Sequence, residues 1–279
     1  MKKFHLHLVS DSTGETVSSV ARAAIAQFDD LDPEEHVWSL VRTSRQLDKV
    51  INGIEANPGV VIYTLISKDL RDQLRSYCHQ KNLPCIPVLA RIMTEMSAFL
   101  GVKPSTNPGR QHEMNDEYFS RVEAVNYTLA HDDGQATWDL QDADVVIVGV
   151  SRTSKSPTCV YLANRGYKAA NVPYVKGTPL PENLSSLKRP LVVGLTIDPE
   201  RLLQIRRSRM QSINQEGETS YTDHEAVLEE IQDAKKFFGK HRWPIIDVTR
   251  RSVEETAAQI INLYHQHYEK RMNSGGANG

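Results

Sequence analysis

Short apolar runs alternate with amphipathic stretches along this chain, a pattern typical of strands that are each followed by a helix. In the first hundred residues the predicted strands are "KFHLHLV", "HVWSLVR", "GVVIYTLIS" and "CIPVLA". Between them apolar residues recur at helical spacing, as they do at Leu47, Val50 and Ile54. Four successive strand–helix units favour a mainly parallel sheet with helices packed against it.

The alternation is interrupted at "VKPSTNPGRQH", whose two prolines and polar turn residues indicate a domain boundary. A helix is predicted over 115–134, and the strand pattern then resumes. Its apolar runs are "ADVVIVGV", "VPYV", "LVVGLTI" and "WPIIDVT". Later helices are predicted at about 199–212, 223–238 and 252–271, and Ser252 and Glu255 have the spacing of a capping box for the last one.

The segment "GVSRTSKSPT", residues 149–158, follows the buried strand "ADVVIVGV" and precedes a predicted helix. It has the spacing of the phosphate-binding P-loop, G-x-x-x-x-G-K-[ST], except that Ser154 replaces the second glycine. Serine carries a Cβ, so a left-handed backbone there costs roughly 1 kcal/mol or more. The predicted nucleotide-binding residues are Gly149, Val150, Ser151, Arg152, Thr153, Ser154, Lys155 and Ser156.

The residue types in this loop suit a bound phosphate. Backbone N–H groups of the loop and the helix N-terminus can surround phosphate oxygens. Lys155 would place its charge between terminal phosphates, and Ser156 would offer a hydroxyl to Mg²⁺. Arg152 adds a second cation. The alternative is a polar turn that only caps the helix, because serine and threonine are good cap residues.

Two acidic segments offer further chemistry. Asp198 ends the run "LVVGLTI", where it could hold a metal ion together with Ser156, or could cap a helix that begins at Pro199. Asp132 and Asp133, in "LAHDDG", could supply a general base or could lie at a solvated helix end. These alternatives stay open at the level of sequence.

Two other segments have both a functional and a structural interpretation. "VSDSTGETV" could form a second anion-binding corner at a helix N-terminus, although a capping box of Ser12 and Glu15 is favoured. The residues of that corner are Ser10, Ser12, Thr13 and Gly14. An arginine run is expected to be a solvated helix face, with contact to phosphate or an acidic partner as the alternative. Its members are Arg201, Arg206, Arg207 and Arg209.

Together these patterns predict an α/β fold in which an N-terminal parallel-sheet α/β domain is followed by a P-loop kinase-like α/β domain. The predicted bounds are 1–105 for the first domain and 106–140 for a helical connector. The P-loop nucleotide-binding phosphotransferase domain is predicted over 141–272, followed by a disordered tail over 273–279. The tail "NSGGANG" contains nothing to bury.

Composition narrows the class of protein. The 279 residues carry a net charge of -2, with 39% hydrophobic and 24% charged residues, as in an ordinary globular protein. This charge disfavours a general nucleic-acid-binding protein. Three cysteines are expected to be reduced thiols, and no apolar stretch approaches the roughly 20 residues of a membrane span. We therefore expect a cytoplasmic protein that binds neither nucleic acid nor membrane.

Five segments in one order resemble the bacterial pyruvate, phosphate dikinase regulatory protein family, whose close relatives regulate phosphoenolpyruvate synthase. They are "LVSDSTGETV", "RVEAVNYTLAHDDG", "GVSRTSKSPT", "GLTIDPERL" and "SVEETAAQI". The resemblance covers nearly the whole chain. It implies that the nucleotide site is the loop from Gly149 to Ser156.

The resemblance also implies a bifunctional enzyme with pyruvate, phosphate dikinase as its protein substrate. ADP would be the phosphoryl donor for a threonine beside the phosphohistidine of the dikinase. Inorganic phosphate would remove that phosphoryl group again and release pyrophosphate, with Mg²⁺ as the expected metal. The candidate catalytic residues are Lys155, Arg152, Asp198 and Asp132, and the candidate metal ligands are Ser156 and Asp198.

Several alternatives remain at this stage. The same chemistry could act on phosphoenolpyruvate synthase. A small-molecule P-loop kinase would use ATP and no protein target, and a non-catalytic nucleotide-sensing module would dock a partner through the arginine run. The oligomeric state is also open, with a homodimer as one alternative.

Overall fold

The structure of the protein is a computed structural model. The structure describes residues 1–105, 107–109, 116–212 and 221–275, with side chains up to residue 269. The chain divides into two compact units, Met1–Glu113 and Met114–Gly279. Each unit is built around one four-stranded parallel sheet, which confirms the predicted α/β fold class.

The first unit contains four strand–helix repeats. Its sheet has the order β2-β1-β3-β4, with every neighbouring pair parallel. The strands are β1 (Lys2–Ser10), β2 (Leu31–Trp38), β3 (Gly59–Thr64) and β4 (Cys85–Pro87). The helices are α1 (Glu15–Ile25), α2 (Ser44–Ala56), α3 (Lys68–Gln80) and α4 (Ala90–Leu100).

The central strand β1 is buried on both faces of this sheet. Leu6 and Leu8 pack on one face with Val17 of α1. Val9 points to the other face and packs with Leu47 of α2 and Leu74 of α3. The alternating directions of neighbouring side chains in a strand explain why two separate apolar clusters form.

The prediction of a strand over 36–42 was wrong, because β2 begins at Leu31 and ends at Trp38. The strand lies at the edge of the sheet, where a polar sequence with Pro33 is tolerated since one side makes no ladder bonds. The chain turns after it, and Leu40 adopts a left-handed φ of 58°. Because β2 is polar and apolar residues follow it, the apolar pattern favours a segment that begins too late.

The second unit repeats the first unit's strand order, here β6-β5-β7-β8, again entirely parallel. Its strands are β5 (Val145–Gly149), β6 (Ala169–Pro173), β7 (Leu191–Thr196) and β8 (Ile245–Asp247). Its helices are α5 (Asp116–Ala130), α6 (Lys155–Asn164), α7 (Pro199–Ser212), α8 (His224–Lys240) and α9 (Val253–Gly275). The predicted capping box is confirmed at the start of α9, where the Glu255 N–H donates to the Ser252 hydroxyl at 3.1 Å and the Ser252 N–H donates to the Glu255 carboxylate.

Close packing of helices on β5 and β7 defines the core of this unit. Every residue of β5 and β7 is buried. A Cβ atom on Gly194 would lie 2.3 Å from the ring of Phe238, so glycine allows α8 to pack directly on β7. Helix α5, in the stretch predicted as a connector, packs on the same unit, since the Thr128 hydroxyl donates to the Ala169 carbonyl at 2.8 Å.

The prediction of a strand over 172–175 was also wrong, because β6 begins at Ala169 and ends at Pro173. The true strand starts with two small buried alanines and a buried Asn171, which an apolar pattern does not reveal. At the C-terminus α9 continues to Gly275, while residues 276–279 of the predicted tail lie outside the described residues. No helix in the described part of the chain is long and apolar enough to cross a membrane.

Candidate functional site

The loop 150–154 lies at the point of the second sheet where the strand order reverses. From β5 the chain passes outward to β6 and then returns to β7 on the opposite side of β5. In open parallel sheets the loops that follow the two central strands separate at this point and leave a crevice for ligands. Gly149 ends β5 and pairs in register with Leu195 of β7, so the loop begins at this crevice.

The backbone of the loop is held in a tight, unusual conformation. Arg152 has φ 73° and Ser154 has φ 59°, both in the left-handed region that L residues rarely occupy. Ser154 is the N-cap of α6, yet its side chain makes no capping hydrogen bond within the described structure. The interpretation of this loop as a serine-capped helix start is therefore not supported at Ser154.

Position 149 leaves no space for a side chain, so glycine is required there. A Cβ atom at this position would lie 2.9 Å from the Thr153 hydroxyl and 3.1 Å from the Leu195 carbonyl oxygen. The Thr153 side chain is buried and donates to the Val150 carbonyl at 2.9 Å. The loop thus folds back on itself over the end of β5.

Lys155 lies inside the loop and is 6% exposed. Its ammonium group donates to the Val150 carbonyl at 3.1 Å. Burial lowers the pKa of Lys155, while the nearby carboxylates of Asp133 and Asp132 act in the opposite direction. A buried cation with one carbonyl partner has hydrogen-bonding capacity left for an anionic ligand.

A hydrogen-bond network connects the start of α6 with the turn after α5. The Asn171 amide donates to the Ser156 hydroxyl at 3.2 Å and also to the Asp132 carboxylate. The Asp133 N–H donates to the Asn171 carbonyl oxygen at 3.2 Å. A carboxylate, an amide and a hydroxyl are therefore gathered beside Lys155.

His131 anchors this turn. The ring is 4% exposed, and its two nitrogens face the Tyr127 carbonyl and the Asp139 carboxylate, both at 2.7 Å. The ring also stacks on Tyr127, with centroids 3.7 Å apart. The segment "LAHDDG" is consequently not a solvated helix end at His131, and the fixed histidine positions Asp132 next in the chain.

Arg206 contacts the backbone of the loop at Ser151. This member of the arginine run is 2% exposed, forms an ion pair with Glu230 at 2.8 Å and donates to the Ser151 carbonyl at 3.3 Å. Its guanidinium lies 4.4 Å from the ring centre of Tyr221, whose hydroxyl accepts from Arg152 Nε at 3.4 Å. The expectation of a solvated face fails for Arg206, while the other three arginines of the run are exposed.

Asp198 follows β7 and caps α7. Its carboxylate accepts from the Arg201 N–H at 3.0 Å, and its own N–H donates to the Thr249 hydroxyl at 2.8 Å. It borders a hollow that Asp247 and Thr249 also line. These contacts are those of a helix cap, and Asp198 makes none of them with the loop.

The structure thus brings together Lys155, Ser156 and Asp132, with Arg152 on the exposed side of the same loop. Sequence reasoning missed Asn171 and Tyr221. A sign of Asn171 was present, because an asparagine within the apolar run "AANVPYV" needs a buried partner. Tyr221 lies far from the loop in sequence and has no comparable sign.

The segment "VSDSTGETV" was expected to contain a capping box, and that expectation was wrong. The N-cap of α1 is Gly14 at φ 88°, which has no side chain with which to cap the helix, and not Ser12. The Ser10 hydroxyl instead accepts from the Ser12 N–H at 3.1 Å and from the Thr64 hydroxyl at 3.0 Å. These side chains line a small hollow between the ends of β1 and β3.

Comparison with known proteins identifies the family. Residues 6–261 match the family described as kinase/pyrophosphorylase. The chain belongs to this family. It is 54% identical over 97% of its length to a protein of Paramagnetospirillum magneticum, covering 87% of that relative, and 53% identical to one of Maricaulis maris, covering 93% of both chains. Both relatives are named as pyruvate, phosphate dikinase regulatory proteins.

A third relative carries the same name. The protein of Caulobacter vibrioides is 52% identical over 93% of this chain and 82% of its own length. The family match includes the loop 149–156, the turn at Asp132 and Asn171. The resemblance stated from five sequence segments is thereby confirmed, and a kinase/pyrophosphorylase of this kind is a phosphotransferase by description.

Proposed function

We propose that this kinase/pyrophosphorylase controls pyruvate, phosphate dikinase by two opposite reactions at a single threonine of the dikinase. In the first, ADP phosphorylates the threonine and inactivates the dikinase. In the second, inorganic phosphate removes the phosphoryl group and restores activity. The names of the relatives support the partner, and the family description supports a pair of activities.

The observation that carries the proposal is the buried ammonium of Lys155 inside a loop in which Arg152 and Ser154 have left-handed φ angles, at the crevice of a parallel sheet. The first N–H groups of a helix have no partner within the helix, and the helix dipole favours an anion beside them. The start of α6 offers these groups next to Lys155. A terminal phosphate is the anion that suits this combination of donors.

In the kinase direction the threonine hydroxyl oxygen forms a bond to the β-phosphorus of ADP while the bond to the bridging oxygen breaks. AMP leaves with that oxygen, and the hydroxyl proton passes to a base. Phosphoryl transfer depends mainly on positioning and on neutralising charge at the phosphate oxygens. Lys155 supplies a buried charge for this purpose, and Arg152 supplies a second charge at the exposed edge of the loop.

In the phosphorylase direction an oxygen of inorganic phosphate attacks the phosphorus of the phosphothreonine. The bond between that phosphorus and the threonine oxygen breaks, pyrophosphate is formed, and the threonine oxygen takes up a proton. In this direction the phosphoryl group on the threonine lies where the terminal phosphate of ADP would lie, and inorganic phosphate takes the place of the phosphate of AMP beside the same ammonium and N–H groups. One loop therefore suffices for both reactions.

Asp132 is the favoured proton acceptor among the acidic candidates. It lies in the network with Asn171 and Ser156, whereas Asp198 is engaged in capping α7. Asp133 stays a second candidate, since its carboxylate also acts on Lys155. A base must come within hydrogen-bond reach of the proton that it removes, and the position of Asp132 near Lys155 and Ser156 supports this role.

The residues at the start of α6 fit Mg²⁺. This ion prefers oxygen ligands and retains several waters, so one or two protein oxygens are enough. The Ser156 hydroxyl and the Asp132 carboxylate are oxygen donors joined through Asn171, and with Asp132 bound to the ion the proton would pass to Asp133, the second candidate base. Asp198 remains the alternative carboxylate from sequence. Bound Mg²⁺ would neutralise charge on the phosphates.

A labelling experiment tests this function. The protein is incubated with purified dikinase, phosphoenolpyruvate to charge its histidine, and ADP labelled in the β-phosphate. We expect label on a dikinase threonine and its release as pyrophosphate when unlabelled phosphate is added. Label that comes only from the γ-phosphate of ATP, or that appears only on a small molecule, would contradict the proposal.

Two variants tie the result to the loop. Lys155→Met keeps the apolar stem and removes the charge, and we expect the transfer rate to fall by roughly 100-fold or more. Lys188→Met removes an exposed charge from the same unit and serves as the matched control, with the transfer rate unchanged. Equal rates for wild type and Lys155→Met would place the phosphate elsewhere.

A further inference from the structure

Two histidines and a glutamate meet on one face of the first sheet. Parallel strands β1 and β2 pair with His5 opposite Glu34 and His7 opposite His36. Residues two apart in a strand point to the same face, and so do residues paired across a parallel ladder. The sequence patterns "HLH" and "EEH" therefore place four polar side chains together.

Three of these side chains offer ligand atoms at close range. His5 Nδ1 lies 3.1 Å from His36 Nε2 and 3.6 Å from the Glu34 carboxylate. All three donor atoms lie within 4.8 Å of one another, and no other such group of three occurs among the described residues. This cluster lies in the first unit and contains no residue of the phosphate loop.

The spacing suits a common metal ion. Two nitrogens bound to one Zn²⁺ at about 2.0–2.1 Å lie roughly 2.9–3.4 Å apart, for angles from a right angle to a tetrahedral one. The observed separation of 3.1 Å falls in that range. Without a metal, the two imidazoles can share only a single proton between these nitrogens, because one must donate and the other accept.

The third histidine, His7, is a support and not a ligand. It is buried, its Nε2–H donates to the Asn57 carbonyl at 2.8 Å, and its Nδ1 accepts from the Trp38 indole at 3.2 Å. Both nitrogens are thus occupied in the neutral form. The His36 ring stacks on it at 4.6 Å with an interplanar angle of 14°, which fixes the direction of the ligand ring.

Exposure lets an ion enter. The side chains of His5 and Glu34 are 31% and 71% exposed, and His36 is partly exposed. Lys3 lies 3.9 Å from Asp32, two residues before His5 and Glu34 in the register, so the charge of Lys3 is paired with Asp32. The cluster is an open site with three protein ligands and room for water as a fourth.

We propose that His5, Glu34 and His36 bind a divalent transition metal ion, with Zn²⁺ as the ion best suited to two imidazoles and a carboxylate. Bound there, the ion would connect the edge strand β2 to the central strand β1 and would stabilise the first unit through its binding free energy. The proposal is independent of the phosphoryl-transfer chemistry.

The test uses the full-length protein, first stripped with a chelator. Calorimetric titration with Zn²⁺ is expected to show one equivalent bound, and Co²⁺ in its place is expected to give the visible absorption of a low-coordinate nitrogen and oxygen site without the charge-transfer band of a thiolate. That last feature excludes binding at Cys78 and Cys85. A thiolate spectrum, or no Zn²⁺ binding, would overturn the proposal.

Variants locate the ion. We expect His36→Ala and His5→Ala to weaken Zn²⁺ binding by roughly 100-fold or more, and Glu34→Gln by about tenfold or more. Glu34→Gln changes an exposed side chain, so its fold should be intact, which circular dichroism would verify. The control is His224→Ala, which removes a histidine paired with a carboxylate at 2.7 Å but without a second histidine. Unchanged affinity in the three ligand variants would overturn the site.

Discussion

The two units share a strand order but carry opposite charges at the same place in the fold. β1 and β5 are both the strand at which the order reverses. Each is followed by a polar loop and a helix whose N-cap has a left-handed φ, Gly14 at 88° and Ser154 at 59°. In both units, therefore, the topology provides a crevice at the carboxyl end of the sheet.

The side chains that fill these crevices differ. In the second unit the buried charge is the ammonium of Lys155, whereas in the first it is the carboxylate of Asp11, which is 4% exposed. Asp11 accepts from the Ile66 N–H at 2.6 Å, and burial raises its pKa. The comparison teaches that strand order decides where a crevice forms, while the sign of the buried charge supports the proposed phosphate site in the second unit and not in the first.

The largest expected effect is the loss of stability on replacing Gly149, which should exceed the loss on replacing Gly14. Gly149→Ala places a Cβ 2.9 Å from the Thr153 hydroxyl and 3.1 Å from a backbone oxygen, so it should destabilise the second unit by about 1–3 kcal/mol. Gly14→Ala meets only Val37 at 3.6 Å, and its cost should be the left-handed backbone alone, about 1 kcal/mol. Urea unfolding of each variant measures both values.

ADP-dependent labelling of the dikinase is the second measurement on Gly149→Ala and Gly14→Ala. Gly149→Ala should reduce it strongly because the loop must shift, while Gly14→Ala should leave it near the wild-type rate. A larger loss of both stability and labelling in Gly14→Ala than in Gly149→Ala would contradict the comparison of the two crevices.

A smaller effect is expected at Ser154. Glycine relieves the left-handed strain but increases the entropy of the unfolded chain, so Ser154→Gly should change the free energy of unfolding by only about 0–1 kcal/mol, toward stability. Ser154→Val should destabilise, because a β-branched residue is poorly tolerated at φ 59°. Thermal unfolding ranks the three proteins, and a less stable glycine variant would show that the serine side chain has a role of its own.

The smallest effect concerns pH and Asp11. Because its folded pKa lies above the ordinary value of 3.8, the folded state holds this proton more tightly than the unfolded state. The stability that Asp11 contributes is present below 3.8 and is lost as pH rises through the folded pKa. Asp11→Asn lacks this dependence, so the stability of wild type relative to the variant should decrease as pH rises above 3.8.

Denaturant unfolding at several pH values measures this difference. An increase with pH would mean that a cation, such as the nearby Arg42, stabilises the carboxylate instead. The first crevice would then resemble the second more closely in its electrostatics.

The sequence allowed the fold to be predicted where apolar runs were long and central. β5 and β7 are buried throughout, and their runs gave nearly the right bounds. The edge strands β2 and β6 were misplaced, because Pro33 and the acidic residues of β2, and the alanines of β6, do not form an apolar pattern. Edge strands depend on pairing with a neighbour, which local sequence does not encode.

The candidate site divides in a similar way. Lys155 and Ser156 follow from motif spacing, and so does the strain at Ser154, because contiguous residues specify a loop. Arg206 was expected to face solvent, yet it is buried against Tyr221 and Glu230. That contact joins segments far apart in the chain, and only tertiary packing determines which of several arginines takes part in it.

Amide hydrogen exchange with and without ADP tests the central claim most directly, because it measures each loop separately in the unmodified protein. We predict that ADP slows exchange in the peptide containing 149–156 and leaves the peptide containing 10–16 unchanged. Protection at 10–16 with none at 149–156 would contradict the account.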